Sequence, residues 1–167
     1  TLMTPASIGF LTSLGITEIF VFAKPKVAIV VTGNELVKAG VNLPLGKIYE
    51  SNSIMLKVAL QEVGLKKVKT IQVEDDFKKT KKVLKKCISH FDMVLVSGGI
   101  SVGDYDYVKE ALLANDAEEL FDKINQKPGK PLFFGKKDST LIFALPGNPA
   151  SSLTCFYVYV LPALKKM

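Results

Sequence analysis

Four short segments hold the residues of this sequence that could do chemistry, and each follows an apolar run. They are Thr32-Gly33-Asn34-Glu35, Glu74-Asp75-Asp76, the long loop from Ser97 to Asp104, and Leu145-Pro146-Gly147-Asn148-Pro149. Gly98, Gly99 and Gly103 let backbone N–H groups approach an anion with no Cβ in the way. A helix expected just beyond them adds its positive end. No Gly-Lys-Ser/Thr follows, so this is not a Walker loop, and Gly-x-Gly-x-x-Gly does not fit either. A structural turn would use the same glycines. Asn148 before Pro149 makes a good helix N-cap pair, and capping alone would explain it. Two such loops at one sheet edge are a stronger pointer to an anionic ligand than either alone.

The acidic residues pose a different problem. Glu35, Asp75 and Asp106 are expected at the same edge as the loops. Two carboxylates about 5 Å apart repel by roughly 3 kcal/mol at an effective dielectric near 20. An anionic ligand increases that cost. Compensation must come from Mg²⁺, from raised carboxyl pKa values, or from nearby lysines. Lys123, Lys127 and Lys130, around Lys127-Pro128-Gly129-Lys130-Pro131, are the candidates. Helix capping is the competing explanation for Asp75 and Asp76. For Asp104 and Asp106 it is compensation of the helix dipole in a first turn.

These residues need elements to position them. Thr4-Pro5 opens a helix that Gly15 ends, and Ile16 to Phe22 reads as a strand. Val27 to Val31 is a continuous apolar run, the pattern of a strand buried on both faces. A loop from Thr32 to Glu50 leads to a helix from about Ser51 to Val63, closed by Gly64. Val68–Val73, Met93–Val96, Pro131–Gly135 and Leu141–Leu145 read as strands, the last two joined by the turn Lys137-Asp138-Ser139. Helices are expected over Asp76–Ser89, Asp104–Ala114 and Pro149–Lys166, the last kinked or ended near Pro162. Alternating strands and helices imply an α/β fold: three layers, with a mostly parallel sheet, helices on both faces and an antiparallel element from the closing hairpin. Ligands of such sheets bind at the carboxyl ends of strands, beside the point where strand order reverses.

Composition narrows the function classes. The 167 residues suffice for one domain with a substantial core, and 48% of them are hydrophobic. No apolar run approaches the ~18–20 residues of a membrane span, and no signal peptide is visible. Cys87 and Cys155 are 68 positions apart and His90 is the one histidine, which argues against a Cys/His metal site and a Ser-His-Asp triad. Reduced, partly buried thiols and a cytoplasmic location are expected. Six lysines between Lys78 and Lys86 supply much of the +6 net charge. Phe77, Thr80, Leu84, Ile88 and Phe91 fall among and after them at helical spacing, so the lysines mark a solvated helix face. Nothing supports nucleic-acid binding.

Taken in order, the motifs resemble a known family. Thr32-Gly33-Asn34-Glu35-Leu36, Gly46-Lys47-Ile48 leading to Ser51-Asn52, Asp75-Asp76, the run Ser97 to Tyr107, Lys127-Pro128-Gly129-Lys130-Pro131 and Leu145-Pro146-Gly147-Asn148-Pro149 are similar in order and spacing to the molybdopterin-binding domain of molybdopterin molybdenumtransferases, the MoeA and gephyrin E-domain group. The resemblance covers residues 24–167, with 1–23 as a leader segment. It implies a MogA-like fold. It also implies an enzyme of molybdenum cofactor biosynthesis that takes adenylylated molybdopterin and molybdate, cleaves the pyrophosphate link with a divalent cation, and releases the cofactor and AMP.

By motif position, Glu35, Asp75 and Asp106 resemble the family's functional carboxylates, as catalytic groups and as ligands of Mg²⁺. Gly98, Gly99 and Ser101 would line the pterin-phosphate site, with Thr32, Gly33, Ser97 and Gly103 beside them. Pro146, Gly147 and Asn148 would close it, and Lys123 and Lys127 would bind anionic substrate or molybdate. Glu50 stands where the family commonly has Asp, and residue 34 is Asn where Asp is frequent. Full-length members carry further domains and complete the cleft with a neighbouring subunit of a dimer. The chain alone is therefore expected to bind ligand weakly or not at all and to turn over poorly. Rival expectations are a MogA-type molybdopterin adenylyltransferase, a CinA-type nucleotide-processing domain, and a non-catalytic binding scaffold.

Overall fold

A computed structural model describes residues 3–100 and 107–167. Six strands form the main sheet: β1 (Val27–Thr32), β4 (Val68–Val73), β5 (Met93–Ser97), β6 (Glu118–Asp122), β7 (Phe133–Lys137) and β8 (Thr140–Leu145). Two-residue strands β2 (Leu36–Val37) and β3 (Ile48–Tyr49) pair beside it, inside the segment expected to be all loop. The main sheet runs in the order β4-β1-β5-β8-β7-β6. β4, β1, β5 and β8 are parallel, β7 is antiparallel to β8, and β6 is antiparallel to β7. β6 therefore points the same way as the parallel strands. The chain leaves β1 for β4 on one side and returns to β5 on the other, so strand order reverses between β1 and β5.

β1 alternates its side chains between two cores, which is why every residue in it is buried. Val27, Ile29 and Val31 pack with Leu56 and Leu60 of α2 (Asn52–Glu62) and with Cys155 and Phe156. Ala28 and Val30 pack with Leu84 and Cys87 of α3 (Phe77–Ile88) and with Val108, Ala111 and Leu112 of α4 (Tyr107–Leu113). Helices thus cover both faces, as expected. On α3 the buried residues are Thr80, Leu84 and Cys87, so the lysines do face outward.

Pro149–Cys155 (α5), a π turn over Phe156–Val160 and Leu161–Leu164 (α6) make up the last helical segment. The wider turn has a local cause. Proline at 162 donates no N–H, and its ring would crowd the carbonyl of Val158 in a regular α-helix.

Two expectations need correction. Ile16 to Phe22 forms no strand. Its β-branched and aromatic residues match strand composition, but it pairs with no neighbour and Phe20 and Phe22 are fully exposed. Strand propensity without a ladder or a packed face does not fix a strand. Helix α1 (Pro5–Ser13) before it forms as expected, with Thr4 Oγ1 accepting from the Ser7 N–H at 3.2 Å, but it buries no residue. The second correction is β6, which reads Glu-Glu-Leu-Phe-Asp and does not stand out in the sequence. It is an edge strand held by β7 and by Lys109, whose ammonium lies 2.6 Å from Asp122 and 3.2 Å from Glu119.

No helix among the described residues is long and apolar enough to cross a membrane. Both cysteines are free and buried. Burial pushes the Cys87 thiol up to about 11 and raises Cys155 as well, so neither forms thiolate near neutral pH. In the native chain at pH 8, both should react with a disulfide reagent at least ~100-fold more slowly than in denaturant. A rapid native reaction of one equivalent would contradict this burial.

Candidate anion-binding site at the carboxyl edge of the sheet

Where β1 and β5 part, their carboxyl ends open a polar pocket of about 280 Å³. Thr32 and Gly33 enter it from β1, Gly98, Gly99 and Ile100 from β5, and Gly147 from the loop after β8. Glu35 and Asp75 complete the lining. Four of the segments singled out by residue type therefore converge at one place, the strand-order reversal. Ser97 is buried just beneath this lining and Pro146 is buried beside it. Ser101, Gly103, Asp104 and Asp106 lie outside the described residues.

The glycines at 98 and 99 are required by backbone shape and space together. Both have positive φ, 91° and 67°. A Cβ on Gly98 would lie 2.6 Å from the Thr32 carbonyl oxygen, and one on Gly99 would lie 2.5 Å from Val108 Cγ2. The chain therefore passes close over the end of β1. Thr32 Oγ1 sits beneath it, buried and without a hydrogen-bond partner among the described residues. A buried hydroxyl left unpaired costs about 1–3 kcal/mol, and such groups collect at functional sites.

The two acidic residues are held differently. Asp75 is braced to the β1 loop: its Oδ2 accepts the Asn34 N–H at 3.0 Å, and its own N–H donates to Asn34 Oδ1 at 3.1 Å. Lys47 Nζ donates to the Asn34 carbonyl at 2.8 Å and steadies the same turn. Asp76 caps α3 by accepting from the Lys79 N–H at 2.8 Å, so capping accounts for Asp76 and leaves Asp75 to the pocket. Glu35 and Asp75 are exposed, and neither is in an ion pair among the described residues. No group of three His, Cys, Asp or Glu side chains converges among the described residues. The donors present are all oxygens, the set a hard cation such as Mg²⁺ takes, and imidazole or thiolate is absent from the lining.

Asn148 caps α5, accepting from the Ser151 N–H at 3.2 Å, and is exposed beside the pocket. Lys123 and Lys127 do not line it. Lys123 follows the carboxyl end of β6 with a φ of 63°, and its N–H donates to the Leu132 carbonyl at 3.0 Å. It stands at the same sheet edge, three strand positions from β5, or roughly 14 Å at ordinary strand spacing. The loop carrying Lys127 and Lys130 is fastened to the last helical segment: Tyr159 OH donates to Gln126 Oε1 at 2.8 Å, and Gln126 Nε2 donates to the Pro128 carbonyl at 2.7 Å. These lysines are exposed.

Asn52, of the Ser51-Asn52 motif, has no role that residue type alone assigns. It is buried on the stripe Asn52, Leu56, Ala59 and Leu60 of α2. Buried polar residues, Asn52 and Ser53, at the start of a face that Leu56, Ala59 and Leu60 continue are the signal that could single it out.

A three-layer α/β domain with a polar pocket at its strand-order reversal is thus defined. Residues 28–166 match the family described as "Probable molybdopterin binding domain", and the chain belongs to that family. It is 37% identical over 160 residues to a molybdopterin molybdenumtransferase of Staphylococcus epidermidis, covering 96% of this chain and 38% of that protein. With a molybdopterin molybdenumtransferase of Haemophilus influenzae it shares 38% identity over 165 residues, covering 99% of this chain and 41% of the relative. The chain therefore spans about two fifths of the length of these relatives. A molybdopterin biosynthesis MoeA protein of Pyrococcus horikoshii superposes with a TM-score of 0.82 at 33% identity, over 96% of this chain and 40% of that one. A MogA structure shares the fold at a TM-score of 0.59 and 18% identity.

Proposed function

We propose that this chain is the molybdopterin-binding catalytic part of a molybdenum-inserting enzyme, acting in molybdenum cofactor biosynthesis on adenylylated molybdopterin and molybdate with release of AMP. The observation that carries the reading is the single pocket shared by Thr32, Gly33, Gly98, Gly99 and Gly147 with the carboxylates of Glu35 and Asp75. Backbone donors of the glycine loop would hold phosphate oxygens, which their positive-φ conformation leaves open to approach. Glu35 and Asp75 would hold Mg²⁺ together with Asp106. Bound there, Mg²⁺ would neutralise charge developing on the pyrophosphate oxygens. Lys123 and Lys127, at the same edge, would draw in the anionic substrate or molybdate. Relatives of more than twice this length support further domains as partners, and a second subunit completing the cleft is part of the same proposal.

Calorimetry with adenylylated molybdopterin, with and without Mg²⁺, tests the reading. Binding strengthened at least roughly tenfold by Mg²⁺ is expected, because each phosphate charge otherwise faces two carboxylates. Equal binding with and without the ion would overturn it. Adenylyl transfer from ATP to molybdopterin would favour the MogA-type activity instead.

A further inference from the structure

The geometry points to Asn52 as a positioning residue that sets the spacing of the two anion loops, and so the shape of the pocket proposed above for molybdopterin. The inference rests on that reading for its ligand, and on the hydrogen bonds alone for its geometry. Asn52 Nδ2 donates to Ser97 Oγ at 2.8 Å and to the Gly147 carbonyl at 2.8 Å. A carbonyl only accepts, so the amide nitrogen must face Gly147 and the orientation of the side chain is fixed. Both amide protons are used. Ser97 Oγ serves as acceptor here, and its own proton remains for another partner.

Those two bonds sit where the sheet stops supplying its own. Ser97 pairs with Leu145 as the last rung between β5 and β8. Beyond it the strands become loops, joined by the Gly98 N–H donating to the Leu145 carbonyl at 3.3 Å. The loops touch, since a Cβ on Gly147 would come within 3.8 Å of Gly98 Cα. Asn52 spans this seam from the first turn of α2, tying the residue before Gly98 to Gly147 itself. Gly98 and Gly147 both line the 280 Å³ pocket, so a change at the seam changes the pocket.

A role in folding alone does not call for this residue. The position lies on the buried stripe of α2, where Leu56 and Leu60 pack into the core. An apolar side chain would fill the position, but Ser97 Oγ and the Gly147 carbonyl would then lose their donor. Asn52 instead leaves its Oδ1 buried and unpartnered among the described residues, which costs stability. Departures of this kind from local rules are expected where function sets the residue.

The test uses the 167-residue chain and its Asn52→Leu variant, which keeps the stripe filled. In wild type, the Asn52 side-chain amide protons should exchange slowly with solvent by NMR. In the variant, the amide resonances of Gly98 and Gly147 should move together, while those of the hairpin turn at Asp138 and Ser139 stay in place. Molybdopterin affinity should fall roughly tenfold or more, with the melting temperature little changed, because losing the unpaired Oδ1 offsets the donors lost to Ser97 and Gly147. Adding Ser97→Ala to Asn52→Leu should cost less affinity than Ser97→Ala in wild type, because the two share one bond. Fast exchange of the Asn52 amide, unmoved glycine resonances, or wild-type affinity in Asn52→Leu would each overturn the inference. Failure of wild type to bind molybdopterin would instead defeat the functional reading, and the NMR result would still decide whether the seam is held.

Discussion

Gly98→Ala should lower the melting temperature by roughly 6–12 °C and abolish measurable ligand binding. The argument begins with the backbone: φ at Gly98 is 91°, outside the regions an alanine adopts without strain. Such a residue costs about 1–3 kcal/mol before any contact is considered. The added Cβ would also stand 2.6 Å from the Thr32 carbonyl oxygen. That atom belongs to the end of β1, which is paired on both sides and buried throughout, so it cannot move aside. Strain and overlap together come to about 3 kcal/mol, and each kcal/mol shifts melting by ~2–4 °C for a chain of this size. Gly147→Ala is the control. Its φ is not positive and its nearest neighbour is an ordinary contact at 3.8 Å, so stability should stay within about 0.5 kcal/mol. Thermal melting followed by circular dichroism separates the two. A Gly98→Ala chain that melts within a degree or two of wild type would show that the loop has another path over β1.

The same physics explains what could be read in the sequence. β1 was legible because a strand packed on both faces must be apolar at every position, and Val-Ala-Ile-Val-Val meets that demand. α3 was legible because one face is solvated and its lysines alternate with buried positions at helical spacing. β6 was not, since an edge strand can carry charge at most positions and owes its existence to β7. Residues 16–22 failed in the opposite direction: the composition of a strand is there and the partner is not. For the site, loops that follow strands in an alternating α/β pattern had to meet at one edge, so Thr32, Gly98, Asp75 and Gly147 could be placed together before any contact was known. The pairing of Asn34 with Asp75 and the bonds from Asn52 depend on side-chain direction across 41, 45 and 95 residues of chain, and spacing alone does not encode them.

Asp75 gives the second large effect, because two roles meet in one carboxylate. One role is mechanical: with Asn34 it forms a two-bond brace between the loops after β1 and β4. The other is electrostatic, as a ligand and charge for Mg²⁺ in the proposed reaction. Asp75→Asn separates them. Its carbonyl oxygen can still accept from the Asn34 N–H, and its backbone N–H is untouched, so the brace persists and melting should stay within about 2 °C. The negative charge is gone. Mg²⁺ dependence of adenylylated molybdopterin binding should then weaken by at least roughly tenfold to a hundredfold, the range found even for outer-shell partners of bound metals. Asp75→Ala removes the Oδ2 acceptor as well, leaving the Asn34 N–H to water at an exposed turn, and should add a stability loss of about 0.5–1.5 kcal/mol. Titrating Mg²⁺ against ligand affinity in both variants reads the two roles separately. If Asp75→Asn keeps the full response to Mg²⁺ while Asp75→Ala loses stability, Asp75 is a brace, and the charge that faces the substrate must come from Glu35 and Asp106.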